Sequence, residues 1–127
     1  MTTKQLFFTV AACLGAAACQ PRYNGLEISK RSGYGEFRAG HFEIEEGQAL
    51  TIEVRPISSN PHEDYERFDL VRLESIDDGI LLVAPSAEID QFVLAGRSVG
   101  AAGVRVLIND RQEDVIDADV LVQEVDQ

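Results

Sequence analysis

The chain has 127 residues, with 11 basic and 22 acidic side chains, a formal net charge of −11, two cysteines, two histidines and no tryptophan. Such a charge repels nucleic acid and anionic lipid head groups, which sets polyanions aside as partners. Two cysteines are too few for a disulfide-built scaffold, so the fold must stand on a hydrophobic core.

The chain opens with a charge at Lys4, an apolar run from Leu6 through Ala12, and the small-residue stretch Gly15-Ala16-Ala17-Ala18 running into Cys19. A helix crossing a bilayer needs roughly 20 predominantly apolar residues, so this run is read as the apolar stretch of an export signal. Ala16-Ala17-Ala18 satisfies the small-x-small rule of an ordinary secretory peptidase, which would release a soluble periplasmic or secreted protein. Ala17-Ala18-Cys19 resembles the lipobox of bacterial lipoproteins, departing from it at Ala16, where a larger aliphatic residue is usual. Val10-Ala11-Ala12-Cys13 fits that motif better by letter, but cleavage there leaves the signal too little apolar length. The lipoprotein resemblance implies acyl chains on the sulfur and new N-terminus of Cys19. It also implies an outer-membrane destination, because Gln20 is not the Asp that retains such proteins in the inner membrane. Each buried methylene contributes about 0.8 kcal/mol and one chain binds only marginally, so two or three chains would hold the protein in place. Removing residues 1–18 takes away Lys4 alone among the charged residues and also Cys13, while Cys19 would be consumed by lipid, so no intramolecular disulfide is expected in the remaining 109-residue, strongly acidic chain, which is able to fold as one domain.

Residues 19–35 contain Pro21, Asn24-Gly25 and Gly33-Tyr34-Gly35 around one alternating piece, Leu26-Glu27-Ile28, and read as a lipidated tether with a loosely held first strand. Residues 36–127 read as the folded domain. His41-Phe42-Glu43-Ile44 alternates and stops at Glu46-Gly47. Ala49–Arg55 places Leu50, Ile52 and Val54 on one face and Thr51, Glu53 and Arg55 on the other, the period-two pattern of a half-buried strand that Pro56 is expected to end. The polar segment from Ser58 to Arg67 is the longest loop. Phe68–Ser75 resumes the alternation, Asp77-Asp78-Gly79 turns the chain, and Ile80–Val83 follows, stopped by Pro85. Ile89–Ala95 forms the next strand, with Phe92 and Leu94 inward. Gly96–Gly103 reads as a small-residue connection into Val104–Ile108, and Asn109-Asp110 opens the last turn. Asp114–Val125 closes the chain with Ile116, Ala118, Val120 and Val122 on one face, and a strand of that length predicts a bulge or bend near Asp117. The expected core is Leu50, Ile52, Val54, Val71, Leu73, Phe92, Leu94, Val104, Val106, Val120 and Val122.

About seven strands at this spacing predict an all-β, Greek-key sandwich. Gly47–Val54, Val71–Gly79, Phe92-Val93-Leu94-Ala95-Gly96, Gly103-Val104-Arg105-Val106 and the final alternating strand resemble bacterial Ig-like domains of the Big group over about residues 37–125. Tryptophan and a disulfide between the sheets, both marks of antibody-type domains, are lacking. The resemblance implies an Ig-like β-sandwich used in surface adhesion or as a structural module, and it brings no catalytic residue with it.

His41 and Glu43 should project from one face of a strand, and His62-Glu63-Asp64 forms a polar cluster in the longest loop, yet a transition-metal site wants three or four converging donors. Calcium takes oxygen ligands, and Asp77, Asp78, Asp110, Asp114, Asp117 and Asp119 are the candidates, although the full alternating ligand loop is absent and turn Asp residues also bond their own backbone. No Gly-x-Ser-x-Gly elbow and no phosphate-binding glycine pattern occurs; Gly96, Gly100 and Gly103 read as turn residues. The expected function is a non-catalytic, lipid-anchored binding or scaffold module of the bacterial envelope, without a cofactor. Its partners would be the membrane through the lipid and an envelope protein or polysaccharide, with no nucleic acid. The binding residues would be His62, Glu63, Asp64, Tyr65, Glu66 and Arg67, because exposed loops on rigid scaffolds carry recognition and Tyr and Arg are favoured at hot spots. A calcium-binding surface domain and a small envelope enzyme are the alternatives.

Overall fold

A computed structural model describes residues 20–124, and the signal segment and both cysteines lie outside these described residues. Nine strands and no helix occur among the described residues: β1 (Tyr23–Gly33), β2 (Glu36–Arg38), β3 (His41–Glu45), β4 (Ala49–Ser58), β5 (Val71–Ser75), β6 (Leu81–Pro85), β7 (Gln91–Gly96), β8 (Gly100–Ile108) and β9 (Arg111–Leu121). They form two sheets, in the orders β1-β4-β7-β6 and β2-β3-β9-β8-β5. All neighbours are antiparallel except β3 and β9, which run parallel with His41 opposite Asp117 and Glu45 opposite Leu121.

The period-two pattern sets which side chains meet between the sheets. Leu50, Ile52, Val54, Leu81, Phe92 and Leu94 from the first sheet pack in one cluster with Phe42, Ile44, Leu73, Val104, Val106, Ile108, Ile116, Ala118 and Val120 from the second. No polar or charged residue among those described is buried, so the core is held by apolar contact alone. The Phe37 and Phe42 rings meet at 4.8 Å and 52°, closing the cluster at the β2 edge.

Several expectations are corrected. The count is nine strands, not about seven, because β2 is a three-residue edge strand with no periodicity to betray it and β1 is a full strand. Tyr23–Gly33 pairs along β4 from Ser58 to Leu50, with register shifts either side of Leu26–Lys30, so it belongs to the sheet where a loosely held piece over 26–28 was expected. Pro56 does not end β4; it is buried opposite Leu26, at the register shift between Tyr23 and Leu26 and beyond the reach of β7, which pairs only as far as Glu53. There its missing N–H is tolerated. The expected connection Gly96–Gly103 shrinks to residues 97–99, since β8 starts at Gly100.

The bulge in β9 falls at Glu113 instead of Asp117: Val106 faces Asp114 while Leu107 faces Gln112, leaving Glu113 as the extra residue. β9 stops at Leu121, so Val122 is 70% exposed and is not core; Val71 is only partly buried. Asn109 and Asp110 both take left-handed backbone (φ 52° and 67°), the geometry a two-residue hairpin needs, and so the expected last turn is present. Gly35 (φ 135°) lies where an added Cβ would stand 3.0 Å from the Glu43 carbonyl oxygen, which is why the chain can cross there between sheets.

Candidate binding surface at the proximal end

Strand directions gather four segments at one end of the sandwich, here termed proximal: the incoming chain at Gln20–Arg22, the β4–β5 loop (59–70), the β6–β7 loop (86–90) and the β8–β9 turn (109–110). The distal end carries the turns 46–48, 76–80 and 97–99.

The long loop is tied at both flanks by its own polar side chains. On one flank the Ser58 hydroxyl accepts from the amides of Arg22 (3.0 Å) and Asn60 (3.1 Å), and the Ser59 amide donates to the Arg22 carbonyl at 2.9 Å. Asn60 Oδ1 caps the His62 amide, while its Nδ2 donates to the Gln20 carbonyl at 2.9 Å. On the other flank Asp69 accepts from the Glu66 amide (2.7 Å) and from Asn109 Nδ2 (2.9 Å), and Leu70 and Asn109 exchange two bonds, amide to side-chain oxygen and amide to carbonyl. Ser, Asn and Asp capture neighbouring amides in this way because their short side chains mimic a backbone turn. The loop is a built surface.

The expected binding residues lie here, in two adjoining shallow grooves. His62, Glu63 and Asp64 line one with Glu27 and Arg55, whose guanidinium pairs with Asp64 at 3.6 Å; Tyr65, Glu66 and Arg67 line the other with Arg55, Asp69 and Asp90. The exposed Arg55–Asp64 pair contributes at most about 1 kcal/mol. Tyr65 is half-buried against the core, and this burial raises its hydroxyl pKa above 10.0. Burial likewise raises the Asp90 carboxyl, helped by the nearby Glu53 charge.

Sequence reasoning missed three residues here. Phe68, Leu70 and Ile89 were expected to begin strands, yet β5 starts at Val71 and β7 at Gln91, and all three stand in solvent at 77%, 66% and 71% exposure. Leu70 and Ile89 line one groove with Arg72, Pro85 and Phe92. The phase of the alternation carries the signal: Phe68 and Leu70 share the parity of Arg72 and Glu74 on the outer face of β5, one residue out of step with the core-facing Val71 and Leu73.

Tyr23 joins the two sheets at this end. Its hydroxyl donates to Asp114 Oδ2 at 2.8 Å, and burial, the bond to Asp114 and the surrounding carboxylates push its pKa well above the ordinary tyrosine value.

The six calcium candidates are dispersed. Asp77 and Asp78 occupy the distal β5–β6 turn, where Asp77 Oδ1 accepts the Gly79 amide. Asp110 and Asp114 lie at the proximal end, the first paired with Arg72 at 3.0 Å and the second with Tyr23; Asp117 and Asp119 stand on β9 away from the core. No group of three or more His, Cys, Asp or Glu side chains placed to hold a metal occurs among the described residues.

His41 and Glu43 do meet, as their spacing on a strand predicts. His41 Nε2 lies 2.9 Å from Glu43 Oε1, and Arg38 Nη2 donates to Glu43 Oε2 at 2.7 Å. The Glu43 bond raises the imidazole pKa above 6.5, and the His41 bond lowers the Glu43 carboxyl pKa below 4.5. Both oxygens of Glu43 are thus engaged, one by the Arg38 guanidinium and one by the His41 imidazole, in a polar cluster on the outer face of the second sheet.

No family model matches the chain, and no curated protein matches it. Among solved structures, the crystal structure of domains 4 and 5 of the S-layer protein SbsC aligns with a TM-score of 0.52 and 11% identity, covering 76% of this chain and 54% of that one. At such identity the likeness is one of fold, and the chain spans about half the length of that structure.

Proposed function

We propose that this protein is a lipid-anchored, non-catalytic module of the bacterial cell envelope, held through acyl chains on Cys19 and making its envelope contact with the proximal loops. The observation that carries the reading is the exposure of Phe68, Leu70 and Ile89 on loops held in place by side-chain hydrogen bonds. Large apolar side chains gathered in solvent on an ordered surface are a mark of contact sites. The all-β fold it shares with a cell-surface S-layer protein supports an envelope setting. The lipobox-like Ala17-Ala18-Cys19 supports the anchor, and the Big-type strand pattern supports an Ig-like Greek-key module. The outer membrane is the destination that Gln20 favours.

The chemistry at this end is that of surface recognition: Asp64, Asp69, Asn109 and Asp110 are engaged in turns and ion pairs, and exposed apolar side chains stand beside the charged Glu63, Glu66, Arg67 and Glu88. Cys19→Ser should abolish labelling by a palmitate analogue and release the protein from membranes, while Cys13→Ser should leave both unchanged. Retained labelling in Cys19→Ser would overturn the anchor. Turnover of a glycan, peptidoglycan or ester substrate that is lost in His62→Ala would overturn the non-catalytic part.

A further inference from the structure

We infer that the contact made by the proximal end is with the lipid bilayer itself: Phe68, Leu70 and Ile89 seat in the headgroup region beside the anchored Cys19. The inference rests on the anchoring reading above and names the partner of that surface.

Covalent geometry carries the first step. Consecutive Cα atoms are about 3.8 Å apart, so Cys19 lies one peptide unit from Gln20. The Gln20 carbonyl is bonded to Asn60, and both backbone polar groups of Arg22 are bonded to Ser58 and Ser59, so β1 is continuous with the anchor point without slack. A long tether would let the domain stand off the membrane in any orientation. Here acyl chains on Cys19 would draw the proximal end down to the lipid surface.

The surface that meets the lipid is suited to it. Neighbouring strands lie about 4.8 Å apart and stacked sheets about 10 Å, so Gln20 and Ile89 at the end of the four-strand sheet and Leu70, which lines a groove with Ile89 and follows Phe68 by two residues, share one end of the domain. Interfacial apolar side chains sink about 5–10 Å into the headgroup and acyl boundary, a depth that exposed loop residues reach without unfolding. Tyr34 and Val122, at the distal end, are 70% exposed as well, so exposure alone does not choose the end; the path from Cys19 does. The net charge of −11 makes attachment to anionic lipid unfavourable, so the contact is apolar and suits a zwitterionic surface. Arg67, next to Phe68 and exposed, can extend its guanidinium to a lipid phosphate. In this seating the charged segment His62–Arg67, with Glu63, Asp64 and Glu66, stays in the hydrated headgroup layer, and the distal turns face outward.

The absence of tryptophan makes the test clean, since one introduced indole reports alone. The full acylated protein carrying Phe68→Trp, Ile89→Trp or Tyr34→Trp is reconstituted in phosphatidylcholine vesicles with and without brominated acyl chains. Blue-shifted emission at positions 68 and 89, quenched by the brominated chains at least about twofold more than at position 34, is the expected result for side chains at interfacial depth. Equal or negligible quenching at all three positions, in protein that takes the palmitate label and sediments with the vesicles, overturns the seating and leaves the anchor intact. Protein that takes no label and stays in the supernatant overturns the anchor, and the seating with it.

Discussion

Tyr23→Phe tests whether the start of β1 is fixed to the body of the domain. The tyrosine hydroxyl donates to Asp114 Oδ2 at 2.8 Å, across 91 residues of sequence and between the two sheets. A hydrogen bond to a charged group contributes about 1.5–3 kcal/mol net, and the site is only part-buried, so the low end applies. Asp114→Ala also removes the bond that Asp114 Oδ1 accepts from the Val115 amide, so single mutants alone overstate the pair. A double-mutant cycle cancels that contribution and should return a coupling of about 1.5 kcal/mol. For a domain of this size each kcal/mol moves Tm by about 4–8 °C, so Tyr23→Phe in the Asp114→Ala background should cost several degrees less than in the wild type. Urea unfolding of the four proteins measures the coupling at unchanged m-value. A coupling below about 0.3 kcal/mol, within the ordinary error of additivity, would refute the bond and leave the proximal end hinged. The titration has a definite sign: with its folded pKa raised above 10.0, Tyr23 contributes stability that is complete below pH 10.0 and is lost as pH rises through the folded value.

Leu94→Ala and Val122→Ala, both core by alternation, should separate widely. Leu94 is fully buried between Leu50 and Val83, so its truncation should cost about 2–5 kcal/mol, while Val122 is 70% exposed and should stay within about 0.5 kcal/mol; equal costs would contradict the end of β9. The His41 imidazole, followed by NMR, should titrate above 6.5, and Glu43→Gln should bring it back toward that value. The stability His41 contributes is complete below pH 6.5 and is lost as pH rises through its folded pKa; that of Glu43 is present above pH 4.5 and lost as pH falls through its lowered pKa. An unmoved His41 in the glutamine variant would dismiss the pair.

The sequence by itself determined the faces of the strands. Leu50, Ile52, Val54, Leu73, Phe92, Leu94, Val104, Val106 and Val120 recur at every second position in their runs, several of which alternate with charged or polar neighbours, and all of them are buried, because side-chain alternation is a local property of extended chain. The turn at Asn109-Asp110 was legible for the same reason: both residue types tolerate left-handed backbone. Where each strand stops is decided by its partner, and the partner is distant in sequence. Phe68 and Leu70 fall on the outward parity of Arg72 and Glu74 and have no strand opposite, since β8 pairs with β5 only from Val71. Val122 keeps the alternation of β9 beyond the last residue of β3. Pro56 reads as a stop but survives where only β1 reaches it. The proximal surface was half legible: composition marked His62–Arg67 as a loop, whereas Gln20, Asn60, Phe68, Ile89 and Asn109 share one end only because antiparallel pairing brings four separate segments of the chain there. The aspartates show the converse, for residues that look alike in sequence were carried by the same pairing to opposite ends, where Asp77 accepts an amide, Asp114 a hydroxyl and Asp110 a guanidinium.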